Sequence, residues 1–198
     1  MQTLKLWLMR HGETTVNAGL WSADPLHCSL TQRGKEQIRQ AISEITEQPD
    51  LIITSSAPRS QESAAFISEA WPTVHTCVWP IEEFIYLSPA KLNDLSVAGR
   101  KERINAYWEQ SDPFYQDGEG AESFANFFRR IEAFHEALAT QKGFIIAAGH
   151  GQFFKAYLLC LIHGFEPSAI AMQRFRKEET AAPIKNGEII QIQFAICK

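Results

Sequence analysis

The sequence predicts an α/β fold: a three-layer α/β/α sandwich on a mostly parallel central sheet, carrying a cap insertion. Three observations lead there. Short apolar runs alternate with helical patterns along the chain. Polar residues suited to chemistry follow directly after four of the runs. One stretch, residues 85–120, breaks the rhythm.

Leu4 to Met9 reads as the first strand. Thr31 is placed to cap a helix whose apolar stripe is Ile38, Ala41, Ile42 and Ile45. Leu51-Ile52-Ile53-Thr54 is a second buried strand. Pro58 suits a first helical turn, and the helix it opens should run to about Ala70. Val74 to Val78 is expected as a third strand. Phe124, Phe127, Phe128, Ile131, Phe134 and Leu138 recur at helical spacing and read as core, with Gly143 ending that helix. Phe144 to Ala148 is a fourth strand, apolar throughout as when both faces are covered. A helix follows from about Phe153 to Ile162, and Ile189 to Ile196 is a late strand at the sheet edge. The stretch 85–120 is rich in Pro, Asp, Tyr and Trp, with one helix-like piece from Ala98 to Trp108. It reads as a cap inserted into a single domain spanning 1–198.

The bulk numbers narrow the function. A net charge of −4 and a pI near 5.9 argue against a broad nucleic-acid-binding face, but not against a small anion site built from a few local cations. The four cysteines, Cys28, Cys77, Cys160 and Cys197, are far apart and show no metal spacing, so they read as reduced thiols. No run is long enough to span a bilayer, and no cleavage site follows the first strand. The expectation is a cytoplasmic protein with no membrane partner; oligomeric state is not legible.

In an open parallel sheet, ligands bind beyond the carboxyl ends of the strands. After the first strand come Arg10, His11, Gly12 and Glu13. After the second come Ser55, Ser56 and Arg59, and after the third Glu82 and Glu83. After the fourth come Gly149, His150 and Gly151. This set suits phosphoryl transfer. Arginine's planar fork grips phosphate oxygens, a neutral imidazole is a nucleophile, and a carboxylic acid can protonate a leaving oxygen. Gly12 and Gly151 would let backbone approach the phosphate. Side chains supply the cations, so no metal or other cofactor is expected.

Arg10-His11-Gly12-Glu13-Thr14 resembles the R-H-G-E/S-T/S signature of the histidine phosphatase superfamily, the phosphoglycerate-mutase-like proteins. The resemblance extends along the chain. Asp24-Pro25-Leu26 with Leu30-Thr31-Gln32-Arg33-Gly34 resembles a split D-x-P-L-T-x-x-G. Ser55 to Ala64 resembles S-x-x-x-R-A-x-x-T-A, with Ser56-Ala57-Pro58 an unusual approach to Arg59. Gly120-Ala121-Glu122-Ser123 resembles a G-E-S segment, and Ala147 to Gly151 the segment of the second histidine. The resemblance implies a phosphoglycerate-mutase-like fold, with His11 as the nucleophile that becomes phosphohistidine. It implies that Arg10, Asn17, Arg59, His150 and Gly151 bind the phosphoryl group, His150 as an imidazolium beside the dianion. Glu83 is implied as proton donor; Glu82 is the alternative, read as a solvated charge, and Glu13 is read as orienting its loop. The family's G-x-W-E-G segment is not present in Phe84 to Pro89, so the pocket wall differs.

The other candidates take structural roles. His27 reads as surface, and His75, His135 and His163 as structural. Trp21, Tyr86, Tyr107, Trp108 and Tyr115 read as cap core packing, with stacking on an aromatic or sugar substrate as the alternative. Arg174, Arg176 and Lys177 read as a solvated strand end. The expected function is metal-independent hydrolysis of a phosphate monoester, with a small phosphorylated metabolite as partner. The alternatives are a phosphomutase and a non-catalytic phospho-ligand binding module. The segment after Glu83 has no basic residue until Lys91, which favours hydrolysis over mutase chemistry.

Overall fold

Leu4, Leu6 and Leu8 alternate with Trp7 and Met9 along β1 (Gln2–Arg10), and both sets are buried in separate hydrophobic clusters. The strand is therefore covered on both faces. This is a computed structural model that describes residues 2–19, 28–92 and 95–196; Trp21, Asp24-Pro25-Leu26, His27 and Cys197 lie outside them.

The elements follow in order: α1 (Gln32–Ser43), β2 (Leu51–Thr54), α2 (Pro58–Ala70), β3 (Thr76–Val78), a 3-10 turn (Pro89–Lys91), α3 (Val97–Gln110), α4 (Phe124–Ala139), β4 (Gly143–Gly149), α5 (Gly151–His163), α6 (Ala169–Ala181) and β5 (Ile189–Ile196). The sheet order is β3-β2-β4-β1-β5, with only β5 antiparallel, at the edge the sequence assigned to it. On one face, Ile38, Ala41, Ala64 and Ile67 of α1 and α2 pack on Trp7, Met9, Ile52 and Ile146. On the other, Phe127, Phe134, Phe153 and Tyr157 of α4 and α5 pack on Leu6, Leu8, Ile53 and Ile145. Each fully buried large side chain contributes roughly 1.5–3 kcal/mol, so the sheet is held from both sides.

Local signals explain the helix starts. The Thr31 hydroxyl accepts from Gly34 N at 3.0 Å, as expected of a cap. Pro58 occupies the first turn of α2. Ser123 caps α4 through Asn126 N at 3.2 Å. Among the described residues no helix is long and apolar enough to cross a membrane.

Three expectations need correcting. β3 begins at Thr76 rather than Val74, whose N–H turns back to the Trp71 carbonyl. Gly143 does not end α4, which stops at Ala139 with Thr140 as its cap. It opens β4 with φ +78°, and a Cβ there would lie 2.0 Å from Asp50 Oδ2, the atom that accepts from Phe144 N. Arg174, Arg176 and Lys177 sit on a helix, α6, not at a strand end. Only Met172 and Phe175 of α6 are buried, too few for a clear apolar stripe.

Residues 85–120 close on themselves around buried Asp117. Its carboxylate takes Ser88 N at 2.9 Å, the Tyr115 hydroxyl at 3.1 Å, and Arg103 as an ion pair. Tyr107 and Trp108 join Phe84, Phe124 and Phe175 in the larger core cluster.

Gly12 and Gly34 meet backbone to backbone. A Cβ on Gly12 would lie 2.3 Å from Gly34 O, and one on Gly34 would lie 2.1 Å from Glu13 O. Contact with α1 is therefore what demands a glycine at position 12. Gly34→Ala should lower stability by about 1–3 kcal/mol through forced overpacking. Urea denaturation measures this, and an unchanged midpoint would contradict the contact.

Candidate active site

The sheet register sets the site. Arg10 pairs with Gly149 across β1 and β4, so His11 and His150 leave the sheet side by side. His11 N donates to Gly149 O at 2.9 Å, extending the ladder one step. Thr54 pairs with Ala148, which brings Ser55 alongside. The Ser60 hydroxyl of α2 accepts from Ser55 N at 3.1 Å and donates to Ala148 O at 2.7 Å. The Ser63 hydroxyl accepts from Gly12 N at 3.3 Å. Sequence reasoning missed these two buried serines; their only signal is spacing on one face of α2.

The two imidazoles stand edge to face, 5.3 Å between ring centres. His11 is 2% exposed, and its Nδ1 is 2.7 Å from Gly12 O. A carbonyl only accepts, so Nδ1 carries the proton and Nε2 keeps its lone pair. Burial lowers the His11 pKa from 6.5 to about 3, against the opposing pull of that carbonyl and with help from Arg59 and Arg10. His150 is wholly buried, and its Nε2 is 2.8 Å from Ser55 Oγ. Its Nδ1 is buried with no protein partner. Burial first, then the Arg59 charge, holds its pKa well below the ordinary value.

Arg10 ends β1, with one guanidinium nitrogen donating to Ile184 O. Gly151 is small because Arg10 lies against it: a Cβ would sit 3.1 Å from Arg10 Nε. Arg59 stands in the first turn of α2, and its charge bears on Arg10, His11, Glu83 and His150. Glu83 is half-buried, and its Oε1 accepts from Gln152 N at 2.9 Å at the start of α5. Burial raises its pKa, partly offset by Arg10 and Arg59. A cavity of about 70 Å³ is lined by Arg10, Glu83, Gly151 and Gln152, with Glu179 arriving from α6. Because α6 was not legible, neither was Glu179.

Arg10, His11, Arg59, Glu83, His150 and Gly151 thus come together. Asn17 stands apart on the exposed rim. Its side-chain oxygen accepts from Thr14 N and from Asn186 Nδ2, which also donates to His11 O. Glu82 is not a solvated charge. Its Oε1 accepts from Ser56 N at 3.1 Å and Ser56 Oγ at 2.8 Å. Glu13 accepts from the Thr31 hydroxyl at 2.9 Å, tying its loop to α1. His75 and His163 are exposed rather than structural, whereas His135 stacks on Phe165 and bonds the Tyr157 hydroxyl. The Arg176 guanidinium lies over Trp108, 5.3 Å from the ring centre.

His11, Glu83 and His150 offer donor atoms within 4.8 Å of one another, close enough to be drawn onto one small cation. Two guanidiniums beside them set the opposite preference: the field of the pocket favours an anion.

The buried neutral His11 couples stability to pH. An unfolded histidine takes a proton near pH 6.5 and folded His11 only near 3, so the unfolded chain binds more protons between those values. Stability should be intact above about pH 6.5 and fall as the pH drops toward 3. His11→Gln should remove up to about 1.4 kcal/mol per pH unit of that slope. Denaturant titrations at stepped pH measure it, and equal slopes in both proteins would refute it.

Comparison with known proteins then places the chain. The family model described as Histidine phosphatase superfamily (branch 1) matches residues 6–185. No curated protein matches the sequence. Among solved structures, an Escherichia coli protein provisionally named an alpha-ribazole-5'-P phosphatase is similar, with TM-score 0.72 and 21% identity over 97% of this chain and 91% of that one. A mycobacterial glucosyl-3-phosphoglycerate phosphatase in complex with VO3 has TM-score 0.69 and 20% identity over 94% and 90%. An Entamoeba histolytica phosphoserine phosphatase in complex with 3-phosphoglyceric acid has TM-score 0.68 and 18% identity over 95% and 89%. At these identities the solved structures establish the fold, and the family model establishes the family. The chain belongs to the histidine phosphatase superfamily (branch 1) and is an enzyme of the phosphatase type.

Proposed function

We propose that this chain is a metal-independent phosphatase that hydrolyses the phosphate monoester of a small metabolite through a phosphohistidine at His11. The observation that carries the reading is the His11 ring itself. It is buried and neutral, and its proton is fixed on Nδ1 by Gly12 O, so the Nε2 lone pair is free to attack.

In the first step His11 Nε2 forms a bond to phosphorus. The bond from phosphorus to the ester oxygen breaks, and Glu83 gives that oxygen its proton. Burial raises the Glu83 pKa, a shift in the direction a proton donor needs. In the second step a water oxygen attacks phosphorus, the P–N bond breaks, and the water proton passes to Glu83. Inorganic phosphate leaves and both residues return to their starting states.

Arg10 and Arg59 bind the non-bridging oxygens and offset charge gathered in the transition state. His150 Nε2 meets Ser55 Oγ at 2.8 Å, a hydroxyl that can donate or accept there. Its Nδ1, the buried nitrogen without a protein partner, carries the ring proton for a phosphoryl oxygen to accept. Gly151 gives room beside Arg10. Tyr86, Trp108 and Arg176 pack together and join residues 85–120 to α6, whose Glu179 lines the cavity with Glu83 as a wall for the leaving group. The names of the similar solved structures, which refer to phosphatases of small phosphorylated compounds, support a substrate of that size.

His11→Ala should reduce phosphate release from p-nitrophenyl phosphate to the uncatalysed background. Full-length, folded H11A that still turns over would end the phosphohistidine mechanism. Assaying phosphate release against an isomerised ester distinguishes hydrolysis from mutase chemistry, and hydrolysis is expected.

A further inference from the structure

The mechanism leaves Arg130 and Glu122 unused, yet Arg130 is heavily engaged near the site. It stands one helical turn and a half into α4. Its Nε donates to Glu122 Oε1 and its Nη2 to Glu122 Oε2, both at 2.7 Å. Its Nη1 donates to the backbone carbonyls of Pro80 at 2.9 Å and Glu82 at 3.3 Å. The guanidinium also lies near the faces of Phe127 and Phe153, 5.4 and 5.5 Å from the ring centres. Glu122 adds a backbone bond, its N–H donating to Ile85 O at 2.8 Å.

These contacts converge on one short segment. Pro80, Glu82 and Ile85 flank Glu83 and are held through their carbonyl oxygens. Ile81 and Phe84, on either side of the two glutamates, are anchored in the core, with Phe84 stacked on Phe127 at 4.3 Å. Within this pinned backbone the two glutamates part company. Glu82 turns to Ser56, and Glu83 turns to Gln152 N at the start of α5.

We propose that Arg130 and Glu122 form a positioning pair that fixes the 80–85 backbone so that Glu83, and not Glu82, faces the phosphate ester. The proposal rests on Glu83 being the proton donor. Only a guanidinium has the geometry for it: a planar fork meets both Glu122 oxygens and still leaves Nη1 for two carbonyls. A lysine would keep the charge and lose the fork. Neither Arg130 nor Glu122 touches the reacting atoms; they act through the placement of a carboxyl group, where about an ångström can cost on the order of a hundredfold in rate.

The test uses the leaving group. A nitrophenolate departs without help from an acid, whereas an alkoxide needs its proton. kcat/KM for p-nitrophenyl phosphate and for glycerol phosphate reports formation of the phosphohistidine in each case. Arg130→Lys and Glu122→Gln should each lower kcat/KM for the alkyl ester about ten- to a hundredfold and for the aryl ester about threefold or less. Glu83→Gln should show the same selectivity more strongly, and Arg130→Lys added to Glu83→Gln should cause no further selective loss.

Equal losses on both esters would make the pair merely structural and overturn the proposal, as would no loss on either. Glu83→Gln without selectivity would remove Glu83 as the acid and the proposal with it. A selective Glu83→Gln beside unselective Arg130→Lys and Glu122→Gln would overturn the positioning pair alone. Thermal unfolding checks that each variant is folded, and Glu122→Gln carries the test should Arg130→Lys fail to fold.

Discussion

Everything in the candidate site hangs from the parallel pairing of β1 with β4. Because Arg10 lies opposite Gly149, the next residue on each strand is a histidine, and the two rings meet at 5.3 Å. A slip of one residue would send one imidazole to the opposite face of the sheet. The register is guarded by burial on both faces: Leu6 and Leu8 look to one helical layer while Trp7 and Met9 look to the other. Packing that serves stability therefore also sets the spacing of the two rings, and the hydrogen bond from His11 N to Gly149 O carries that order just past the strand end.

Burial then sets the chemistry of the groups that the register has assembled. It removes the proton from His11, raises the pKa of Glu83 and depresses that of His150, which are the shifts that the proposed nucleophile and acid call for. The cations are not optional in this arrangement. Without Arg10 and Arg59, the same dry pocket would reject a phosphate dianion, since burying an unpaired charge is costly.

Much of this could be read from residue order. The strand-end positions of Arg10, His11, Arg59, Glu83 and His150 follow from runs of apolar residues, and the Thr31 cap and Pro58 helix start follow from local rules. What escaped has an identifiable cause in each case. α6 buries only Met172 and Phe175, so its period was too faint to see. Gly143 has φ +78°, which a sequence can assign to a helix end or a strand start equally well. Glu82 looked solvated because its partners, Ser56 and Arg130, are distant in sequence.

The sequence by itself determined which chemical groups exist and at which strand ends they stand, because alternation of apolar runs and helix signals is a local property. Tertiary structure alone decided their states and orientations. Which His11 nitrogen carries the proton depends on Gly12 O, and the two glutamates part because Glu82 meets Ser56 while Glu83 meets Gln152 N. That a glycine is required at position 12 depends on Gly34 in α1. The physical reason is the same throughout: protonation, orientation and close approach are set by neighbours in space, and folding brings those neighbours from remote parts of the chain.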